Sequence, residues 1–122
     1  MINLEKHQIR ERNHFDKMAK GYDLNYGYGD PFTKYKISRK SKDLINFIFQ
    51  KLKNKKLKIL EIGCGTGEYT KLTAREFPNS QLIAIDVSEE VLKIAKKKCG
   101  SLKNVIFAIE SAYKTGYEKE SF

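Results

Sequence analysis

The sequence predicts an α/β chain: a helical N-terminal stretch, then β-α-β-α-β with the strands parallel in one sheet. Three short apolar runs, residues 57–62, 81–86 and 104–109, suit buried strands. The segments between them repeat apolar residues at helical spacing. Short strands alternating with helices imply parallel pairing through right-handed crossovers.

Taken in order, residues 1–30 are polar and aromatic with a weak helical pattern. Leu4, Phe15, Met18 and Ala19 share a face only in part. Lys20-Gly21-Tyr22-Asp23 reads as a helix stop, and Tyr26-Gly27-Tyr28-Gly29-Asp30-Pro31 as a loop punctuated by Gly and Pro. Residues 1–32 are therefore expected to form a helical or lid segment packed over the core formed by residues 33–122. From 33 to 53, Ile37, Leu44, Ile45, Ile48, Phe49 and Leu52 recur at helical spacing, with Lys and Arg mostly on the other face. Asn54-Lys55-Lys56 closes that helix.

After strand 57–62, residues 68–77 form a helix with Leu72 and Phe77 inward, ended by Pro78-Asn79-Ser80. Strand 81–86 follows. Ser88 is a good N-cap, and Glu89 and Glu90 suit the positive end of the next helix. Val91, Leu92, Ile94, Ala95 and Cys99 form its inward face. Lys96, Lys97 and Lys98 complement its last turn, and Gly100 is the expected C′ residue. Strand 104–109 is third, and residues 110–122 read as loop.

Composition bounds the function. With 122 residues, 40% hydrophobic and 32% charged, the chain can support one core, which excludes collagen-like, mucin-like and wholly disordered classes. Two cysteines, Cys64 and Cys99, are too few for a disulfide scaffold and read as reduced thiols of a cytoplasmic protein. No apolar run reaches the ~18 residues of a membrane span, and the charged N-terminus lacks a signal-peptide core. The net charge is +9, but only Arg10, Arg12, Arg39 and Arg75 among the 24 basic residues are Arg. Because Arg dominates bidentate readout of bases and phosphates, a nucleic-acid partner is the lesser expectation.

The chemistry centres on Gly63-x-Gly65-x-Gly67. A strand runs into it and a helix leaves it, so backbone can approach a ligand closely while the helix start offers free N–H groups. Asp86 ends the next strand, 21 residues after Gly65, where a carboxylate can accept both hydroxyls of a ribose. That context points to a nucleotide-like ligand. A dinucleotide fingerprint would want glycine at position 68, which is Glu68, and the phosphate-loop pattern is absent.

Ile59-Leu60-Glu61-Ile62-Gly63-Cys64-Gly65-Thr66-Gly67 resembles motif I of the class I S-adenosylmethionine-dependent methyltransferases. Ile83-Ala84-Ile85-Asp86-Val87-Ser88, followed by Val91-Leu92-x-x-Ala95, is similar to the family's second motif. His14-Phe15-Asp16-Lys17-Met18-Ala19-Lys20-Gly21-Tyr22-Asp23 resembles the N-terminal segment of its ubiquinone-biosynthesis-type members, which act on small molecules. The resemblance implies a Rossmann-like three-layer sandwich, truncated here to strands one to three of a seven-stranded sheet of order 3-2-1-4-5-7-6.

The resemblance also implies residue roles. Gly63, Cys64, Gly65 and Gly67 would form the cofactor turn, the glycines lying under the methionine part of S-adenosylmethionine. Glu61 would orient the amino group, Asp86 hold the ribose and Val87 lie against adenine, while Tyr22 closes over the methionine end. Where the family has Asp-Ala after strand three, this chain has Ser111-Ala112 with Glu110 before. Ser111 can still accept a hydrogen bond.

The methyl acceptor is expected to be a small molecule. The alternatives are a catalytically inactive cofactor-binding or interaction fragment, an RNA methyltransferase using the Lys-rich faces, and a dinucleotide oxidoreductase. Cys64 as a nucleophile, its pKa lowered by the helix start, is a lesser reading. No metal site is expected, and His7 and His14 read as surface or helix-packing residues. Tyr22, Tyr26, Tyr28 and Tyr35 suit either a substrate cleft or packing. Without a fourth strand, strand 57–62 would be an apolar edge, which leads to the expectation of a homodimer through that strand or completion by another chain.

Overall fold

The computed structural model describes residues 3–52 and 55–122; the side chains of Ser41, Ile45 and Phe49 also lie outside the description. The expectations for Asn54 and for the side chains of Ile45 and Phe49 at helical spacing fall on these positions.

Helix α1 spans Leu4–Met18, capped by Asn3, whose side chain accepts from the Lys6 N–H. A single 3₁₀ turn, Ala19–Gly21, leads into the short helix α2, Tyr22–Asn25. The sequence anticipated a stop here; the chain tightens and continues for one more turn. Helix α3 spans Pro31–Leu52 and so starts two residues before the expected position. The reason is local: the Asp30 carboxylate accepts from the Thr33 N–H at 2.7 Å, and Pro31 sits where a missing N–H costs nothing.

Strands β1 (Lys58–Ile62), β2 (Gln81–Asp86) and β3 (Val105–Ile109) form one parallel sheet in the order β1-β2-β3. Leu60 pairs with Ile83, and Ile83 with Ile106. Helices α4 (Glu68–Glu76) and α5 (Glu89–Cys99) connect the strands; they pack on each other and against β2, forming the helical layer on one face. Phe77 is buried as expected, but Leu72 is half-buried, and Thr70 and Ala74 are the buried residues within α4.

Burial grades across the sheet. Residues 82–85 of β2 are all buried, whereas β1 is half-exposed, with Ile62 at 54%. The reading of β1 as a buried strand is thus corrected: it lies at the edge of the sheet formed by the described residues, with β2 as its strand neighbour. The core joins Cys64, Ala84 and Leu92, with Val105 and Phe107 against them.

Three smaller corrections concern element ends. Gly100 has φ −58°, a right-handed conformation rather than the left-handed one of a C′ glycine. Asn104 is not in β3; its side-chain NH₂ donates to the carbonyls of Ala74 and Phe77, both at 3.0 Å, and so caps the end of α4. The Leu57 N–H donates to Ser80 Oγ at 3.0 Å just before β1 begins.

Candidate functional site

The site lies where β1 and β2 end side by side. Both strands stop at a turn, so the glycine loop and the β2–α5 connection emerge as neighbours. The N–H groups of Gly63 and Cys64 both donate to the Ile85 carbonyl, at 2.9 and 3.0 Å, which ties the two turns together. Gly63, Gly65 and Gly67 all have positive φ (70°, 54° and 81°), a conformation that costs other L-residues about 1–2 kcal/mol.

Asp86 closes the arrangement. One carboxylate oxygen accepts from the Gly65 N–H at 3.0 Å and the other from the Ser88 N–H at 3.0 Å. Each oxygen keeps a further lone pair for a ligand. The carboxylate is therefore pre-positioned by backbone, which cuts the side-chain entropy lost on binding.

A cavity of about 190 Å³ opens against these groups, lined in part by Tyr22, Gly63, Gly65, Asp86, Val87 and Ala112. A second cavity of about 410 Å³ shares Val87 and Glu110 with it and reaches Ser111. A Cβ added at Gly63 would meet nothing within 4 Å, so that backbone faces open space. The Tyr22 hydroxyl lies 3.6 Å from where a Gly65 Cβ would stand, which makes Tyr22 a roof over the turn. The Tyr22 ring lies tilted against Tyr26, 4.5 Å between centroids, and 6.3 Å from Tyr28. Burial, and then the neighbouring Tyr28, Tyr26 and Asp86, raise the Tyr22 pKa and keep the phenol protonated.

Seven of the ten anticipated residues gather around this pair of cavities. Three do not. Gly67 faces away: a Cβ there would stand 3.1 Å from Ala95 Cβ and 3.2 Å from its Cα, so this glycine serves the close approach of the turn to α5. Cys64 is buried in the core, and burial raises its thiol pKa far above the usual range, overriding the helix start that was expected to lower it. Glu61 lines neither cavity. Its Oε2 and Thr70 Oγ1 are the buried side-chain atoms without a hydrogen-bond partner among the described residues, and burial pushes the Glu61 carboxyl up to about 7.

At the end of β3, Glu110 and Ser111 are engaged locally. Glu110 Oε2 accepts from the Gly116 N–H at 3.0 Å, and Ser111 Oγ accepts from the Tyr113 N–H at 3.2 Å. The Ser111 hydroxyl proton remains available to a ligand acceptor. Tyr35 lies exposed on α3, outside the cluster that Tyr22, Tyr26 and Tyr28 form.

Some residues at the site were not anticipated. Glu11 and Phe15 of α1 line the smaller cavity. The Ser88 hydroxyl donates to Asp16 Oδ1 at 2.5 Å while accepting from the Val91 N–H, so the α5 cap also anchors α1. Lys98 Nζ lies 2.8 Å from Asp23 Oδ2 and 2.5 Å from Glu68 Oε1. Burial alone would lower the Lys98 pKa, but its hydrogen bonds to Asp23 and Glu68 outweigh that and the net direction is up. The weak helical pattern of residues 1–30 and the lysine run at 96–98 were the local signals; the pairings themselves span 72 and 75 residues. Among the described residues, no group of three His, Cys, Asp or Glu side chains is arranged to hold a metal ion, and no helix is long and apolar enough to cross a membrane.

A parallel α/β sheet with a glycine turn after its first strand and an acid at the tip of its second defines the class of Rossmann-like, nucleoside-binding domains. The comparisons narrow it: residues 59–122 match the family profile described as a methyltransferase domain, and the chain belongs to that family. It is 32% identical over 120 residues to malonyl-[acyl-carrier protein] O-methyltransferase 1 of Ilyobacter polytropus, covering 98% of this chain and 40% of the relative. It is 34% identical over 122 residues to a malonyl-[acyl-carrier protein] O-methyltransferase of Priestia megaterium, covering 93% and 39%. The chain thus spans about two fifths of the curated relatives it matches. In fold it is similar to magnesium protoporphyrin IX methyltransferase from Synechocystis PCC 6803 with bound SAH (TM-score 0.69, 17% identity, covering 89% of this chain and 53% of that one). It is also similar to the plantazolicin methyltransferase in complex with a pentazolic desmethylPZN analogue and SAH (TM-score 0.57, 24% identity, covering 86% and 37%). These likenesses establish the class I methyltransferase fold.

Proposed function

We propose that this chain is the cofactor-binding part of an S-adenosylmethionine-dependent O-methyltransferase. The observation that carries the reading is the Gly63–Gly65 turn held at 3.0 Å to a carboxylate, Asp86, which lines the same cavity as the two glycines. When bound, S-adenosylmethionine supplies a methyl group activated on a sulfonium. Asp86 would accept the ribose hydroxyls, Val87 would lie against the adenine, and Ser111 would meet its edge. Gly63 and Gly65 would carry the methionine end under Tyr22. Glu61 would orient the amino group, directly or through water.

The acceptor we favour is the carboxylate of a malonyl group carried on an acyl carrier protein, after the names of the relatives. A carboxylate is ionised at neutral pH and needs no general base to become a nucleophile, so the protein's task is alignment.

Calorimetric titration with SAH, SAM and NADH tests the cofactor. Binding of SAH and SAM without NADH is expected; no binding of either would overturn the reading. Transfer of labelled methyl from SAM to malonyl-loaded carrier protein tests the acceptor in the longer protein.

A further inference from the structure

The roof over the glycine turn is fastened at a point outside the cavity. Lys98 Nζ reaches Asp23 Oδ2 at 2.8 Å, Glu68 Oε1 at 2.5 Å and Thr66 Oγ1 at 3.3 Å, and the Thr66 hydroxyl donates to Asp23 Oδ1. One point thus joins α2, the glycine turn, α4 and α5. Thr66 is buried, and the Lys98, Glu68 and Asp23 side chains are 18%, 21% and 36% exposed, so the cluster is partly shielded from solvent, more at Glu68 than at Asp23. None of these four residues lines the cavity, yet Asp23 directly follows Tyr22, the roof residue.

The rest of α2 has little other hold. It contains no buried residue, and Leu24 is 81% exposed. The Asp23 carbonyl also accepts from the N–H groups of Tyr28 and Gly29, at 2.6 and 3.3 Å, so the same residue organises the loop that carries the other tyrosines. Displacing Asp23 would release Tyr22, Tyr26 and Tyr28 together.

We infer that Lys98 is a positioning residue which, through Asp23, clamps the Tyr22 phenol over Gly65, so that retention of the cofactor depends on it while recognition by Asp86 does not. The inference rests on the proposal that this cavity takes S-adenosylmethionine. A cluster that only stabilised the fold would act without regard to Tyr22, and a double-mutant cycle separates the two.

The test measures amide hydrogen exchange over residues 19–28 in the free chain, and SAH binding by calorimetry, for wild type, Lys98→Met, Lys98→Arg, Tyr22→Ala and Lys98→Met/Tyr22→Ala. Lys98→Met should speed exchange over 19–28 by about tenfold and leave residues 82–85 unchanged. It should weaken SAH by about tenfold, and Lys98→Arg should restore most of that loss. In the Tyr22→Ala background, Lys98→Met should cost less than about twofold. Unchanged exchange over 19–28, or an equal loss of SAH affinity in both backgrounds, would overturn the inference. Failure of the wild type to bind SAH would instead overturn the cofactor assignment, and the exchange data would still decide whether the clamp exists.

Discussion

Between residues 3 and 52, Ala19 is the one buried apolar side chain among those described, whereas β2 and α5 together bury Leu82, Ile83, Ala84, Ile85, Val91, Leu92, Ala95 and Cys99. The second region is held by apolar burial, at roughly 1.5–3 kcal/mol for each large side chain. In the first, α3 packs on α4 and α1 on α5, and polar fastenings tie α1 and α2 down: Asp16 to Ser88 at one end of α5 and Asp23 to Lys98 at the other. Apolar packing is non-directional and cooperative, so it makes a fold. A few hydrogen bonds and ion pairs are directional and separable, so they can hold a roof in place without making it part of the core. The cradle of Gly63, Gly65 and Asp86 belongs to the first kind of structure, and Tyr22 to the second.

The contrast is broken most severely in the core. Leu92→Ala should cost about 2–5 kcal/mol of unfolding free energy, because Leu92 is 1% exposed and its loss leaves a cavity against Ala84 and Cys64. Urea denaturation measures it, and a cost below about 1 kcal/mol would contradict the account. The matching change in the N-terminal region, Leu24→Ala, should fall within about 0.5 kcal/mol of zero.

Glu61 supplies the next effect, through pH. Its folded pKa, pushed up by burial to about 7, lies above the ordinary 4.5. The folded chain therefore binds more protons than the unfolded chain between these values, and its stability falls as pH rises from about 4.5 to about 7, then levels off. The fall should be roughly 3 kcal/mol, and Glu61→Gln should remove it from the urea midpoint–pH profile. An unchanged profile in Glu61→Gln would assign the slope elsewhere. The smallest effect sharpens the comparison: Asp16→Ala should cost about 1 kcal/mol, by freeing the Ser88 hydroxyl and removing an acid from the start of α5.

The parts legible in the sequence are those governed by local rules. The three strands, the glycine turn, the Ser88 cap and the place of Asp86 follow from spacing and turn chemistry over a few residues. The illegible parts depend on partners far along the chain. Gly67 looks like its two companions until Ala95 is seen 3.1 Å from its missing Cβ. Asn104 looks like a strand residue until it caps α4, and Lys98 looks like one of three equivalent lysines until Asp23 arrives from 75 residues away. Cys64 was judged by the helix start beside it, but the core around it decides its acidity. Asp30-Pro31 was readable as a cap and first helical residue, yet the surrounding glycines made it resemble loop.

The most direct test of the cradle is the dissociation constant for SAH of Asp86→Asn beside that of the wild type, by calorimetry, with the fold checked by circular dichroism. Hydrogen bonds to a charged acceptor contribute about 1.5–3 kcal/mol each, so the account predicts a loss of at least about tenfold. Wild-type affinity in folded Asp86→Asn would contradict it.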